Sequence, residues 1–184
     1  MKIFRKSILF KSILLIALIS ALVITGITLY FTKQQEHKLI DNLEKKAKAL
    51  SIIGAAFIGK TLEDAIAAKI LTKQDIFDRE YQRIEDSRFD VPRYHTRYDF
   101  YTDNAFLRVQ DEFLHDDDVV YAAPMDQGGY APTHNSRFQK ALVPNTTEEN
   151  KKFNLANNRT KRIYNDAVTR NAINNTKRGF IQKY

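Results

Sequence analysis

The chain has 184 residues, 43% of them hydrophobic, and its 29 lysines and arginines against 22 acids give a net charge of +7. That length allows one modest folded domain plus accessory segments. The absence of cysteine excludes disulfides, thiol catalysis, zinc–thiolate sites and covalent c-type haem through C-x-x-C-H; it suits an oxidising compartment without requiring one.

Residues 1–11 form a basic flank with Lys2, Arg5, Lys6 and Lys11. Ser12 to Phe31 follows, 20 residues without a charge, and at about 1.5 Å per residue this makes about 30 Å of helix, enough to cross a bilayer core. A cleaved signal peptide is the competing reading, but the run exceeds the usual ~7–15-residue apolar region and lacks an A-x-A exit. Residues 12–31 are therefore expected to be a transmembrane helix of a single-pass protein of the inner, cytoplasmic membrane. The basic flank holds the N-terminus in the cytoplasm and leaves the rest of the chain periplasmic or extracellular. A nucleic-acid partner is not expected behind such an anchor. Four cations belong to the flank, the others are interleaved with acids, and Asp116-Asp117-Asp118 is a negative run.

Residues 32–74 are expected to form a helical stalk. Ile40, Leu43, Ala47, Leu50, Gly54 and Phe57 recur at three- and four-residue steps, an a/d-like seam, and Lys45, Lys46, Lys48 and Lys60 would face water or headgroups. The first proline is Pro92, so one continuous helix is allowed; Gly54 and Gly59 weaken it by about 1 kcal/mol each. Two uses of the seam stay open: a parallel homodimer, or packing against the chain's own domain.

Residues 75–184 are expected to form that domain. Asp75–Tyr81 continues the helical spacing, and Arg88–Asp99 reads as an aromatic, charged connection around Pro92. Phe106, Val109, Phe113 and Leu114 predict a helix from Ala105 to Leu114. Val119–Met125, β-branched and aromatic, predicts a strand. Asp126–Gly129 supplies a turn, and Tyr130–His134 an edge strand that tolerates Pro132. Pro144–Asn150 reads as a polar loop, Asn158–Ala167 as a helix capped by Asn157 or Asn158, and Gly179–Tyr184 as a late strand.

Two segments carry chemistry rather than core filling: Gly128–Phe138 and Asn157–Asp166. Ser136 lies two residues from His134, but no third, orienting group is identifiable. Thr133, His134 and Asn135 are therefore expected to pin the turn, and the protein is not expected to be an enzyme. His95, His115 and His134 show no i, i+3 or i+4 spacing, so no metal is expected, and no cofactor. Arg159 and Arg162, three apart on a helical turn, suit a ligand carboxylate. Tyr121 and Tyr130 would wall the pocket, Asp126 would take an amine, and His134 and Asn135 complete the candidate ligand-binding set. The alternative is that both arginines pair with Asp166 or Asp116–Asp118 and only hold the fold.

The order helix, strand, turn, strand, helix, late strand fits an α+β sensor of the PAS or Cache kind, in which an antiparallel sheet and its helices enclose a small-molecule pocket. The runs Tyr94–Asp99, Val119–Ala123, Gly129–Phe138 and Asn158–Asp166 resemble the extracytoplasmic sensor region of a group of bacterial methyl-accepting chemotaxis proteins, in which a G-Y-x-P-T-H-N motif is followed by N-R-T-K-R-I-F/Y-N-D. The resemblance covers about residues 94–184. It implies a PAS/Cache-like domain that binds a small molecule and signals through its stalk helices. Such receptors carry two spans and a cytoplasmic signalling hairpin, and their sensor region continues beyond the position of Ile181–Tyr184 into further strands. The domain here is therefore expected to be incomplete at its C-terminus. A non-signalling anchored binding or dimerisation module, using residues 40–57, is the second reading; an exported enzyme is the third.

Overall fold

The computed structural model describes residues 2–183, with side chains from Ile8 onward. The side chains of Lys2, Arg5 and Lys6 and all of Tyr184 lie outside the described residues. The architecture is mixed α+β: a long, apolar N-terminal helix, then short helices and two two-stranded antiparallel sheets. Two compact units are distinguished, Met1–Lys46 and Ala47–Tyr184.

Helix α1 (Lys2–Ala67) supplies the first unit. From Ile8 it is long and apolar enough to cross a membrane, and its most apolar window is wholly unburied. Length and composition near an N-terminus also suit a signal sequence. Two of its hydroxyls bond back to the helix itself, as lipid would require: Ser12 donates to the Ile8 carbonyl at 3.1 Å and Thr25 to Ala21 at 2.8 Å.

In the second unit the C-terminal part of α1 turns Leu62 and Ala65 toward the core. The helix stops at Ala67, short of the expected Gln74, because Lys69 adopts φ 59°. Ile70 N–H then donates to Ala65 and Lys69 N–H to Ile66, both at 2.9 Å, a Schellman closure with lysine where glycine is usual. Thr72 and Asp75 cap each other reciprocally at the start of α2 (Lys73–Ile76). Helical structure ends there and does not reach Tyr81.

The connection through Pro92 holds β1 (Gln82–Arg83) and β2 (Tyr94–His95), paired antiparallel. Helix α3 (Asp99–Glu112) begins six residues before the expected Ala105 and is followed by a 3₁₀ turn, Phe113–His115. The predicted strand Val119–Met125 joins no ladder: Val119 to Asp126 runs without turn, bend or strand pairing. The Asp126–Gly129 turn forms as expected, with Gly129 N–H donating to Asp126 O at 3.0 Å. Beyond it lies β3 (Tyr130–Ala131), buried rather than at an exposed edge.

The next two expectations exchange places. Helix α4 (Glu148–Asn157) begins inside the presumed polar loop Pro144–Asn150, capped by the Thr147 hydroxyl. The predicted helix Asn158–Ala167 is instead a turn and β4 (Arg162–Ile163). Asn158 is the C-cap of α4, not an N-cap. Lys161 at φ 56° reverses the chain so that β4 can pair with β3, Tyr130 opposite Ile163 and Ala131 opposite Arg162. Ladder formation and burial here override a helical spacing. Helix α5 (Ala167–Ile173) follows, and Gly179–Lys183 forms no strand.

The core gathers around Tyr130, which is fully buried with Ala65, Leu71 and Tyr98. Its ring lies 5.4 Å from Tyr81 and 6.3 Å from Tyr98, tilted and edge-on geometries that aromatic quadrupoles favour.

Candidate functional site

The two motif segments meet in the β3–β4 ladder, so the residues singled out along the chain are brought together in space. The turn before β3 is organised by Asp126. Its carboxylate accepts from the Tyr81 hydroxyl at 2.9 Å, the Tyr98 hydroxyl at 3.1 Å, Gly128 N–H at 2.7 Å and Tyr130 N–H at 3.0 Å. Arg79 adds an ion pair at 3.4 Å. Burial, then Asp126, pushes the Tyr81 phenol up to about 12. Tyr130 spends its hydroxyl on the Tyr94 carbonyl at 2.8 Å and on Asp99 at 3.2 Å. Asp126 and Tyr130 thus hold the scaffold.

Beyond β3 the chain carries Thr133, His134 and Asn135 into full burial. Thr133 donates to Gln110 of α3 at 2.8 Å, and His134 Nδ1 lies 2.8 Å from Asn135 Oδ1. The His134 ring stacks tilted on Tyr121 at 5.3 Å and edge-on to Phe138 at 5.0 Å. Burial first, with Arg159 and Arg162 assisting, pushes the imidazole below its ordinary range, against the Asn135 bond that raises it. His134 is accordingly held neutral.

Arg159 continues this stack, its guanidinium 4.3 Å above the Phe138 ring. Its Nε donates to Ala156 O at 3.2 Å and its backbone N–H to Phe138 O at 2.8 Å. Arg162 reaches the C-terminal carbonyls of α4, donating to Leu155 at 3.1 Å and to Asn158, where the helix dipole favours a cation. Arg93, only 2% exposed, donates to the same Asn158 carbonyl at 2.7 Å and to the Asn158 side chain at 2.6 Å.

Arg159 and Arg162 open into a cleft of about 410 Å³ shared with Lys152, Leu155, Ala156 and Tyr164. Three cations line it and, among the described residues, no carboxylate does. Desolvation lowers the Arg162 guanidinium, with Arg159 adding like-charge repulsion. Desolvation and then Arg162 bring Arg93 down to about 10. Burial also holds the Tyr164 phenol above its usual range, although all three arginines oppose this. The Nε atoms of Arg93 and Arg162 are buried without a hydrogen-bond partner among the described residues. Such an arrangement favours an anion with an apolar body: planar donors for the charge, Leu155 and Tyr164 for the rest.

Of the expected ligand-binding residues, Arg159 and Arg162 line this cleft. They are set there by the α4 C-terminus and the turn at Lys161, not by the helical turn the spacing suggested. Asp166, one of the expected partners, instead caps α5 through Thr169. His134 and Asn135 stand behind Arg159, one aromatic layer away. Tyr121 lines a separate groove. Lys152, Leu155 and Tyr164 were missed, because residues 151–157 were given no element and Tyr164 was placed in a helix from Asn158 to Ala167. The signal for α4 was present: Thr147 three residues before Asn150, with Glu148 and Glu149 in the first turn, is a helix start.

Compared with known proteins, the chain matches no family model, no curated protein and no solved structure.

Proposed function

We propose that this protein is a membrane-anchored extracytoplasmic sensor of the chemoreceptor type, with a PAS/Cache-like domain that binds a small organic anion at the Arg159–Arg162 cleft. The observation that carries the reading is the gathering of Lys152, Arg159 and Arg162 in one cleft that no carboxylate lines among the described residues. A structural role would more economically pair such cations with acids, since like charges in a half-buried cluster oppose folding. A carboxylate would relieve that repulsion, and its binding would bias a two-state arrangement of the helix to which the domain is joined. The pairing of the two motif segments in one ladder supports the relationship to receptor sensor regions that their residues suggest. The anchor is the apolar helix, with the domain outside the cytoplasmic membrane and the basic flank inside.

The test is thermal unfolding of the full chain in detergent, with sodium acetate, propionate, butyrate, hexanoate and benzoate against chloride at equal ionic strength. At least one carboxylate should raise the melting temperature, and Arg159→Ala and Lys152→Ala should each abolish the rise. Lys152 is exposed, so its loss leaves the fold intact. No shift with any of these anions, or shifts indifferent to both substitutions, would refute the assignment.

The homodimer remains the second reading, favoured by Ile40 and Leu43, exposed by 42% and 36% on α1. Sedimentation of the wild type against Ile40→Glu decides it: a dimer that this substitution dissociates supports it, a monomeric wild type does not.

A further inference from the structure

The cations of the cleft are not clustered at one point; they stand at its two ends along α4. Lys152, Leu155 and Ala156 are related as i, i+3 and i+4 and so share one face of the helix. Lys152 is exposed on that face, whereas its neighbour Lys151 spends its charge on Glu148 at 2.7 Å. A long side chain on a helix leans toward the N-terminus, so the Lys152 ammonium marks the N-terminal end of the cleft.

Both guanidiniums are held at the opposite end. Arg159 Nε donates to the Ala156 carbonyl at 3.2 Å. Arg162 Nη2 donates to the Leu155 carbonyl at 3.1 Å and to the Asn158 carbonyl. Those carbonyls belong to the last turn of α4 and to its C-cap. Lys152 precedes Ala156 by four residues, one turn and about 6 Å of helix. Between the two poles the wall is apolar, made by Ala156 and by Leu155, which is 45% exposed. Cation, apolar step and paired cations thus follow one another in space.

Such a wall tells a two-headed anion from a single-headed one. A monocarboxylate on the arginine fork leaves Lys152 unanswered and aims its apolar tail at an ammonium. A second carboxylate at the far end of the tail meets that ammonium, while the methylenes between cover Leu155. Succinate is shorter than the gap; adipate and suberate span it. We infer that the ligand of the cleft is an unbranched α,ω-dicarboxylate, one carboxylate on Arg159 and Arg162, the other on Lys152. This assignment rests on the anion-binding reading proposed above and narrows it to one class of anion.

The experiment is thermal unfolding of the full chain in detergent at constant ionic strength, titrated with succinate, adipate, suberate, monomethyl adipate and ε-aminocaproate. Monomethyl adipate keeps the length and one charge, and ε-aminocaproate turns the second charge positive. Adipate or suberate should reach half its shift at a concentration lower than monomethyl adipate by roughly threefold or more, the effect of one exposed ion pair. Both should outdo succinate, and ε-aminocaproate should be the weakest of all. Lys152→Glu should invert the order, with ε-aminocaproate first and adipate last, a reversal that loss of stability cannot produce. Diacids no better than monomethyl adipate in the wild type, or an unchanged order in Lys152→Glu, would overturn the inference. Carboxylate shifts that Arg159→Ala abolishes would in those cases leave the cleft itself standing as an anion site. If no carboxylate acts at all, the cleft assignment falls, and the dicarboxylate with it.

Discussion

Lys161 sets its ammonium 3.0 Å from Asp99 and 2.7 Å from Asp103, tying the turn before β4 to the first two turns of α3. Asp99 is 4% exposed, and the same carboxylate oxygen accepts from Tyr130 and lies 2.7 Å from His95 Nδ1. The backbone of Lys161 is equally engaged, donating to Ala131 O at 2.7 Å and accepting from Tyr94 N–H at 2.9 Å. One residue thus joins β2, β3, β4 and α3.

Removing its charge leaves a buried carboxylate short of its cation. Lys161→Ala is expected to cost about 3–5 kcal/mol, measured by urea unfolding in detergent. Lys161→Gly makes the same electrostatic loss but relaxes the φ 56° backbone, and should be about 1 kcal/mol less damaging. Equal stabilities for wild type and both variants would show that the ion pair contributes nothing.

Gly129 and Gly59 should respond in opposite directions to the same change. Gly129 sits at φ 81°, and a Cβ there would collide with the Tyr164 carbonyl oxygen, which belongs to backbone that cannot yield without breaking the β3–β4 register. Gly129→Ala should cost at least about 3 kcal/mol. Gly59→Ala meets open space and should stabilise by about 1 kcal/mol. Paired denaturation curves check both; a Gly129→Ala protein as stable as wild type would disprove the close packing of this turn.

The apolar helix, the Asp126–Gly129 turn and the mixed α+β class were legible in the sequence because each rests on a local signal: a charge-free run, a turn tetrad, a change of periodicity. The position of β4 was not. Arg159 and Arg162 sit at helical spacing, and only the distant partner β3, with Lys161 in a left-handed conformation, makes that stretch a strand. Val119–Met125 failed in the reverse sense. Its β-propensity is real, but propensity names no partner, and β3 paired with β4 instead. In the candidate site the two arginines were legible as a closely spaced pair of cations, although the helical turn that suggested them is absent. Lys152 and Tyr164 required knowing that α4 ends beside them.

The Arg159–Phe138 stack separates charge from shape in the cleft. A guanidinium 4.3 Å over a ring gains from planarity as well as from charge, and lysine retains only the charge. Arg159→Lys should therefore keep a carboxylate-induced melting shift but need roughly tenfold more ligand for half of it. Arg159→Ala should lose the shift. If lysine serves as well as arginine, the anion is held by the field of the cleft and not by bidentate contact.

His134 gives the domain an acid sensitivity whose sign follows from burial. The imidazole is 3% exposed, and desolvation with two nearby guanidiniums holds its folded pKa below the ordinary 6.5. As pH falls below 6.5, the unfolded chain takes up a proton that the folded chain refuses, so stability declines. The decline ends once the folded pKa is passed and both states are protonated. Asp103 acts in the opposite sense: burial raises its carboxyl from 3.8 despite Lys161, so as pH falls toward 3.8 the folded chain takes up a proton before the unfolded chain does and stability rises. Melting temperatures between pH 8 and pH 5 should therefore be level down to about pH 6.5 and fall below it. His134→Gln keeps a side chain able to bond Asn135 but cannot titrate, and should flatten the profile. A wild-type melting temperature that is constant or rises toward pH 5 would show that His134 is charged, or reached by water, in the folded protein.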